Sequence, residues 1–152
     1  MPKNFTVNVN GQDYAKLQTI LQQFSDCEQQ AAIDYGLNKA MEPVIQKGKA
    51  NLASRNKVYR GNLSSSFGKK IDKKSGKKIY AGFKRPKGAH SHLVDRGTKQ
   101  RFTKAGASRG KMPGSKFWTD AVMDSKPQQT TIMSDAIKDA LSTIVKHNGG
   151  TP

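Results

Sequence analysis

The sequence predicts an α+β fold: a small antiparallel sheet with a basic β-hairpin, packed against a long N-terminal helix and a C-terminal helix. Three observations carry this. Ile132, Met133, Ala136, Ile137, Ala140, Leu141, Ile144 and Val145 form a clean amphipathic stripe at helical spacing. Tyr14, Leu17, Leu21 and Phe24 begin a second such stripe. Between the two helical ends, Leu63, Ser65 and Phe67, then Ile79, Ala81 and Phe83, alternate with period two around a connector without apolar residues, Asp72-Lys73-Lys74-Ser75-Gly76. At 152 residues and 34% hydrophobic, the chain is read as one domain over 1–152 with a thin core, which suits subunits that share burial with neighbours.

Taken in order, residues 1–12 form an N-terminal strand or arm, because Phe5, Val7 and Val9 alternate and Asn10-Gly11 ends them. The first helix follows. Ser25-Asp26-Cys27-Glu28 has the form of a capping box, so either a second helix starts there or one helix bends. Ala31, Tyr35, Met41, Val44, Ile45, Gly48 and Leu52 continue the apolar stripe to about Arg55, with interruptions at Gly36 and Pro43. Cys27 falls among apolar positions and reads as a buried, inert thiol. A single cysteine excludes an intramolecular disulfide and fits a reducing compartment.

Gly61-Asn62 opens the sheet, with Gly61 and Leu63 at its start. Arg85-Pro86-Lys87-Gly88 is a turn. The segment Ala89 to Asp95 is a helical turn or a strand; either way Leu93 and Val94 anchor it in the core, and Gly97 stops it as a turn residue or a helix C′. Residues 98–114 are a flexible basic loop without apolar anchors, which would order only against a partner. Ser115 caps a short helix carrying Phe117, Trp118, Ala121 and Val122. Ser125 to Pro127 breaks it, Pro127 begins the last helix, and 148–152 are a tail.

The charge is concentrated. Of 27 Lys and Arg, 19 lie between residues 55 and 116, against only Asp72 and Asp95, while the remainder of the chain is nearly neutral. Such a field favours a polyanion or an acidic protein face. The hairpin lysines Lys69, Lys70, Lys73, Lys74, Lys77 and Lys78, expected as partner contacts, either grip phosphates or form a solvated tip whose charges prevent edge pairing. Arg96, Lys99, Arg101, Lys104, Arg109 and Lys111 on the loop are the other expected partner contacts. Asp95 pairs locally with Arg96, or serves as a partner-facing carboxylate that pairs across a subunit boundary.

No catalytic, cofactor or metal site is expected. His90, His92 and Asp95 lack a further ligand and sit in cationic surroundings that oppose a divalent ion. No nucleophile elbow, P-loop, dinucleotide fingerprint or pair of catalytic carboxylates is present. No apolar run is long enough to span a bilayer, and the start lacks the apolar core of a signal peptide.

Three short segments, in this order, resemble the gene-product-ten-like family of tailed-phage morphogenesis proteins. They are Gly61-Asn62-Leu63-Ser64-Ser65-Ser66, His92-Leu93-Val94-Asp95-Arg96-Gly97-Thr98 and Met112-Pro113-Gly114-Ser115-Lys116-Phe117. Asp95 stands where the family usually has Glu, and the family's second proline in the last segment is missing. The resemblance covers roughly residues 14 to 146. It implies a non-enzymatic virion protein made in the host cytoplasm and placed at the head–tail junction. Such a neck, tail-completion or tail-terminator component forms a homo-oligomeric ring, six-fold or a multiple, that joins or closes the tail tube against other connector and tail-tube proteins. Gly61, Leu63, Leu93, Gly97, Phe117 and Trp118 would then be its structural hub. DNA passing through the neck is a further partner that suits the basic surface. The alternative is a basic nucleic-acid-binding protein; the absence of aromatic residues among the hairpin-tip lysines weighs against a single-strand binder.

Overall fold

The computed structural model describes residues 11–55, 61–72 and 78–147. The expected strand at Phe5 to Val9, the tip lysines Lys73, Lys74 and Lys77, and the tail at 148–152 lie outside them. The fold is α+β. Helices α1 (Gly11–Leu21), α2 (Asp26–Ala40) and α3 (Glu42–Arg55) are followed by a 3-10 turn (Ser64–Ser66) and strands β1 (Phe67–Asp72) and β2 (Lys78–Phe83). Then come α4 (Ser91–Arg96), strands β3 (Arg101–Phe102) and β4 (Ser108–Gly110), and α5 (Phe117–His147). The strands form two separate two-stranded sheets, β1-β2 and β3-β4.

The long N-terminal helical stretch is thus three helices. Glu28 accepts a hydrogen bond from the Ser25 backbone N–H at 3.0 Å, so the capping-box reading holds and α2 starts anew. The second break falls at Met41. Pro43 lies in the first turn of α3, where its missing N–H costs nothing because first-turn donors have no helical partner anyway. Cys27, expected to be buried, is exposed. It sits in the first turn of α2, off the face that packs.

Two compact units divide the chain. One comprises Met1–Pro43, Lys69–Tyr80 and Lys126–Pro152; the other comprises Val44–Gly68 and Ala81–Ser125. No composition shift marks the boundary, because α3, β1, β2 and α5 each run from one unit into the other.

The first unit is organised by helices. Ala32 and Ala40 on α2 cluster with Leu17 on α1 and with Met133, Ile137 and Leu141 on α5. The buried residues of α2 are Ala32, Gly36 and Ala40, whereas Ala31 and Tyr35, expected in the stripe, are exposed. The buried face is therefore made of small residues spaced by four, which let large α5 side chains come close. Gly36 does not interrupt the helix. A Cβ there would lie 2.5 Å from Ile137 Cγ1 and 3.0 Å from the Met133 carbonyl oxygen. Gly36→Ala gains about 1 kcal/mol in helix propensity but overpacks this contact by about 1–3 kcal/mol. The expected result is a net loss of about 1 kcal/mol, read by far-UV circular dichroism in urea.

The second unit has an aromatic core. Leu52 of α3, Leu63, Phe67 of β1 and Phe117 of α5 are buried together, with Ile45, Phe83, Val94 and Trp118 packed against them. Phe67 and Phe83 are 4.7 Å apart between ring centroids, and Phe83 and Trp118 meet edge to face at 5.1 Å. Leu63 and Phe67 face inward as expected, but through a 3-10 turn rather than a strand that starts at Leu63. Buried Ser66 explains the difference. Its hydroxyl donates to the Leu63 carbonyl at 2.6 Å, and its own carbonyl accepts from Lys84 N at 2.7 Å.

Helix α5 runs unbroken from Phe117 to His147 with Pro127 inside it, so the expected break at Ser125 to Pro127 is absent. Proline removes one helical hydrogen bond and crowds the preceding turn. Here its ring is exposed, and packed residues hold the helix on both sides: Phe117 and Ala121 before it, Met133 and Ile137 after it. One turn from each other and flanking Pro127, Ser125 and Gln129 are buried, and their side-chain polar atoms have no hydrogen-bond partner among the described residues.

Candidate functional site

The motif segments of the second unit converge where α4 ends and α5 begins. Asp95, on the last turn of α4, is 5% exposed. Its Oδ1 accepts from the backbone N–H groups of Trp118 at 2.8 Å and Thr119 at 3.1 Å, and its Oδ2 accepts from the Thr119 hydroxyl at 2.6 Å. These are first-turn donors of α5, which no helical carbonyl reaches. A carboxylate there also opposes the positive end of the helix dipole. Both expectations for Asp95 are therefore corrected: it is neither paired with Arg96 at the surface nor turned toward a partner. Its oxygens are taken up as the cap of α5, supplied from 23 residues upstream.

The exchange runs in both directions. The carbonyls of Val94 and Asp95, left open at the end of α4, accept from Ser115 N at 2.9 Å and Lys116 N at 2.8 Å. These bonds hold Lys116 at φ 52, a left-handed conformation that a long side chain seldom adopts. Segment Ala89 to Asp95 is thus resolved as a turn and a short helix. Val94 is its inward apolar residue, while Leu93 is 37% exposed and is not part of the hub. On a helix, successive residues are about 100° apart, so Val94 and Asp95 cannot both face the core with Leu93.

Gly97 closes α4 at φ 81, with its N–H donating to the Leu93 carbonyl at 2.8 Å, and forms an antiparallel bridge with Pro113. Thr98 extends that bridge: its N–H donates to the Met112 carbonyl at 2.9 Å, and its hydroxyl accepts from Met112 N at 3.0 Å. Beyond it, β3 and β4 pair antiparallel with Arg101 opposite Gly110 and Phe102 opposite Ser108, with a bulge between. Thr103 N donates to the Ala107 carbonyl at 2.8 Å, and the Thr103 hydroxyl accepts from Ala107 N at 3.0 Å. The expected flexible loop at 98–114 is therefore a β-hairpin. Backbone bonds and the short polar side chains Thr98, Thr103 and Ser108 order it without apolar anchors.

The hairpin carries the charge outward. Arg96, Lys99, Arg101, Lys104, Arg109 and Lys111 are all exposed, as is Phe102 at 63%. Phe102 was not foreseen; the alternation Arg101-Phe102-Thr103 before Gly106 and Ser108-Arg109-Gly110 after it is the signal that marks it. Arg96, Gly97, Thr98, Lys99, Gln100 and Lys111 line an open depression of about 500 Å3 at the hairpin base.

The other predicted residues divide. Leu63 and Phe117 are buried, Trp118 packs beside them, and Gly61 stands at φ 78 ahead of the 3-10 turn. In the first unit, Lys70 and Lys78 are exposed. Lys69 is not a free cation: its ammonium donates to the Asn38 carbonyl at 3.0 Å and lies 3.6 Å from Glu42, so it ties β1 to the end of α2. His90 and His92 are exposed, and no group of three His, Cys, Asp or Glu gathers among the described residues. Among them, too, no helix is long and apolar enough to cross a membrane. No family model, curated protein or solved structure matches this chain.

Proposed function

We propose that the protein is a structural component of the head–tail junction of a tailed-phage virion, of the neck or tail-completion type, that assembles as a ring. One observation carries the reading. The three segments that resemble the gene-product-ten-like family fall in one packed unit, where Leu63 and Phe117 share a core, Asp95 caps the helix bearing Phe117, and Gly97 bridges Pro113. Segments that resemble a family in order and spacing gain weight when they meet in space as a framework. The framework serves to present a hairpin, and a ring needs such a projection for a heterologous, closing contact. In this reading the partners are copies of the same chain, six or a multiple of six, and connector and tail-tube proteins.

The test has two parts. Purified protein is weighed in solution by light scattering, alone and with particle extracts, and finished particles are searched for it by protein mass spectrometry. The expected result is a closed oligomer and a fixed copy number per particle. Absence from finished particles, or turnover of a substrate that disappears on altering His92, sinks the reading.

A further inference from the structure

We propose that the depression at the base of the β3-β4 hairpin is a seat for the phosphodiester backbone of duplex DNA, with Arg96, Lys99 and Lys111 as its cations. The charge of the second unit is the first reason. It holds 15 Lys and Arg against three acids, Asp95, Asp120 and Asp124. All three acids are occupied: Asp95 caps α5, Asp120 pairs with Arg55 at 2.5 Å, and Asp124 pairs with Lys47 at 3.1 Å. Arg96, Lys99 and Lys111 therefore line one depression with no carboxylate of the unit left to neutralise them. Like charges held together by the fold raise the local potential, and a polyanion relieves it with release of its counterions.

The lining is the second reason. Besides the cations it consists of Gly97, Thr98 and Gln100, with no apolar side chain. Such a surface offers charge and hydrogen-bond donors, which phosphate oxygens accept. It matches an array of phosphates, because the cations continue along the hairpin through Arg101, Lys104 and Arg109. A duplex is favoured over a single strand because the hairpin offers one exposed ring, Phe102, where single-strand sites stack several bases on several rings. The inference does not rest on the ring reading: it concerns the purified chain and a nucleic acid.

The experiment is fluorescence anisotropy of a labelled duplex of arbitrary sequence, titrated with the full chain between about 50 and 200 mM salt. The wild type is expected to bind with a steep salt dependence. Combined Arg96→Gln, Lys99→Gln and Lys111→Gln should weaken binding about tenfold or more and reduce the salt slope by about three, one per cation. The control combination Lys16→Gln, Lys138→Gln and Lys146→Gln, on exposed helix positions of the other unit, should shift the slope by less than about one. A single Lys111→Glu reversal gives an independent reading should the triple variant fold poorly. The proposal is overturned by a wild-type slope near zero, or by equal losses in the two triple variants. A triple variant that keeps DNA affinity but loses self-association overturns it in favour of a contact between copies. Tighter binding of a single strand, lost about fivefold or more on Phe102→Ala, overturns it in favour of a stacking site.

Discussion

Asp95→Ala is expected to destabilise the second unit by about 3 kcal/mol, measured by urea unfolding followed through Trp118 fluorescence. The substitution strips three hydrogen bonds at once, two from backbone N–H groups and one from the Thr119 hydroxyl. Hydrogen bonds to a charged acceptor contribute about 1.5–3 kcal/mol each, but Thr119 is exposed, so water recovers part of the loss. Asp95→Asn retains one oxygen for the two backbone donors and loses the charge that faces the helix dipole. Its expected cost is about 1 kcal/mol. The gap between the two variants is the informative quantity. A surface ion pair with Arg96 would lose the same small amount in both, under about 1 kcal/mol, and the loss would fade with salt. Equal small losses would therefore return Asp95 to the surface-pair reading. Trp118 suits the measurement because it is the only tryptophan and its own backbone N–H is one of the capped groups.

Gly97→Ala is expected to cost about 3 kcal/mol or more in the same assay. Two effects add. At φ 81 and ψ −173 a side chain is strained whatever space surrounds it. In addition, a Cβ there would lie 2.5 Å from the Met112 carbonyl oxygen and 2.6 Å from Gly114 N. Both neighbours are backbone atoms, so no rotamer change relieves the contact; the two strands at the hairpin base must separate. That separation breaks the bridge to Pro113 and the paired bonds between Thr98 and Met112. The variant should therefore also be cut faster by trypsin at Arg101, Lys104 or Arg109, whose backbone the hairpin otherwise holds. An unfolding curve and a cleavage rate unchanged from wild type would show that the hairpin does not depend on this close approach.

The pattern of legible and illegible features follows from the range of the interactions. Ser25 and Glu28 are three residues apart, and the capping box they form was readable because the partners are neighbours in sequence. The same holds for the α5 stripe, whose period is set by the helix itself. Apolar periodicity puts the packed face of α2 one residue off, because it rewards large side chains such as Tyr35, whereas close helix packing buries Ala32, Gly36 and Ala40. Local geometry disfavours Pro127 inside a helix and marks a boundary there; the packing of α5 before and after it outweighs one lost bond. The lack of apolar anchors in 98–114 predicts a flexible loop, whereas its order comes from backbone pairing that composition does not encode.

The sequence by itself determined the α+β class, the separation of charge from the helical ends, the pair of strands Phe67–Asp72 and Lys78–Phe83 and the inward placement of Leu63 and Phe117. Each of these is a matter of local period or of counting. Only the tertiary structure decided what Asp95 does, that Lys69 is held inside its unit, that Leu93 yields its place to Val94, and that the basic segment is a hairpin with a cationic depression at its base. The physical reason is common to all four: the deciding contacts join residues far apart in the sequence. A polar group's role is fixed by the donors and acceptors within about 3 Å of it. For Asp95 those donors are brought from the far side of a hairpin, by a chain path that no window of neighbouring residues contains.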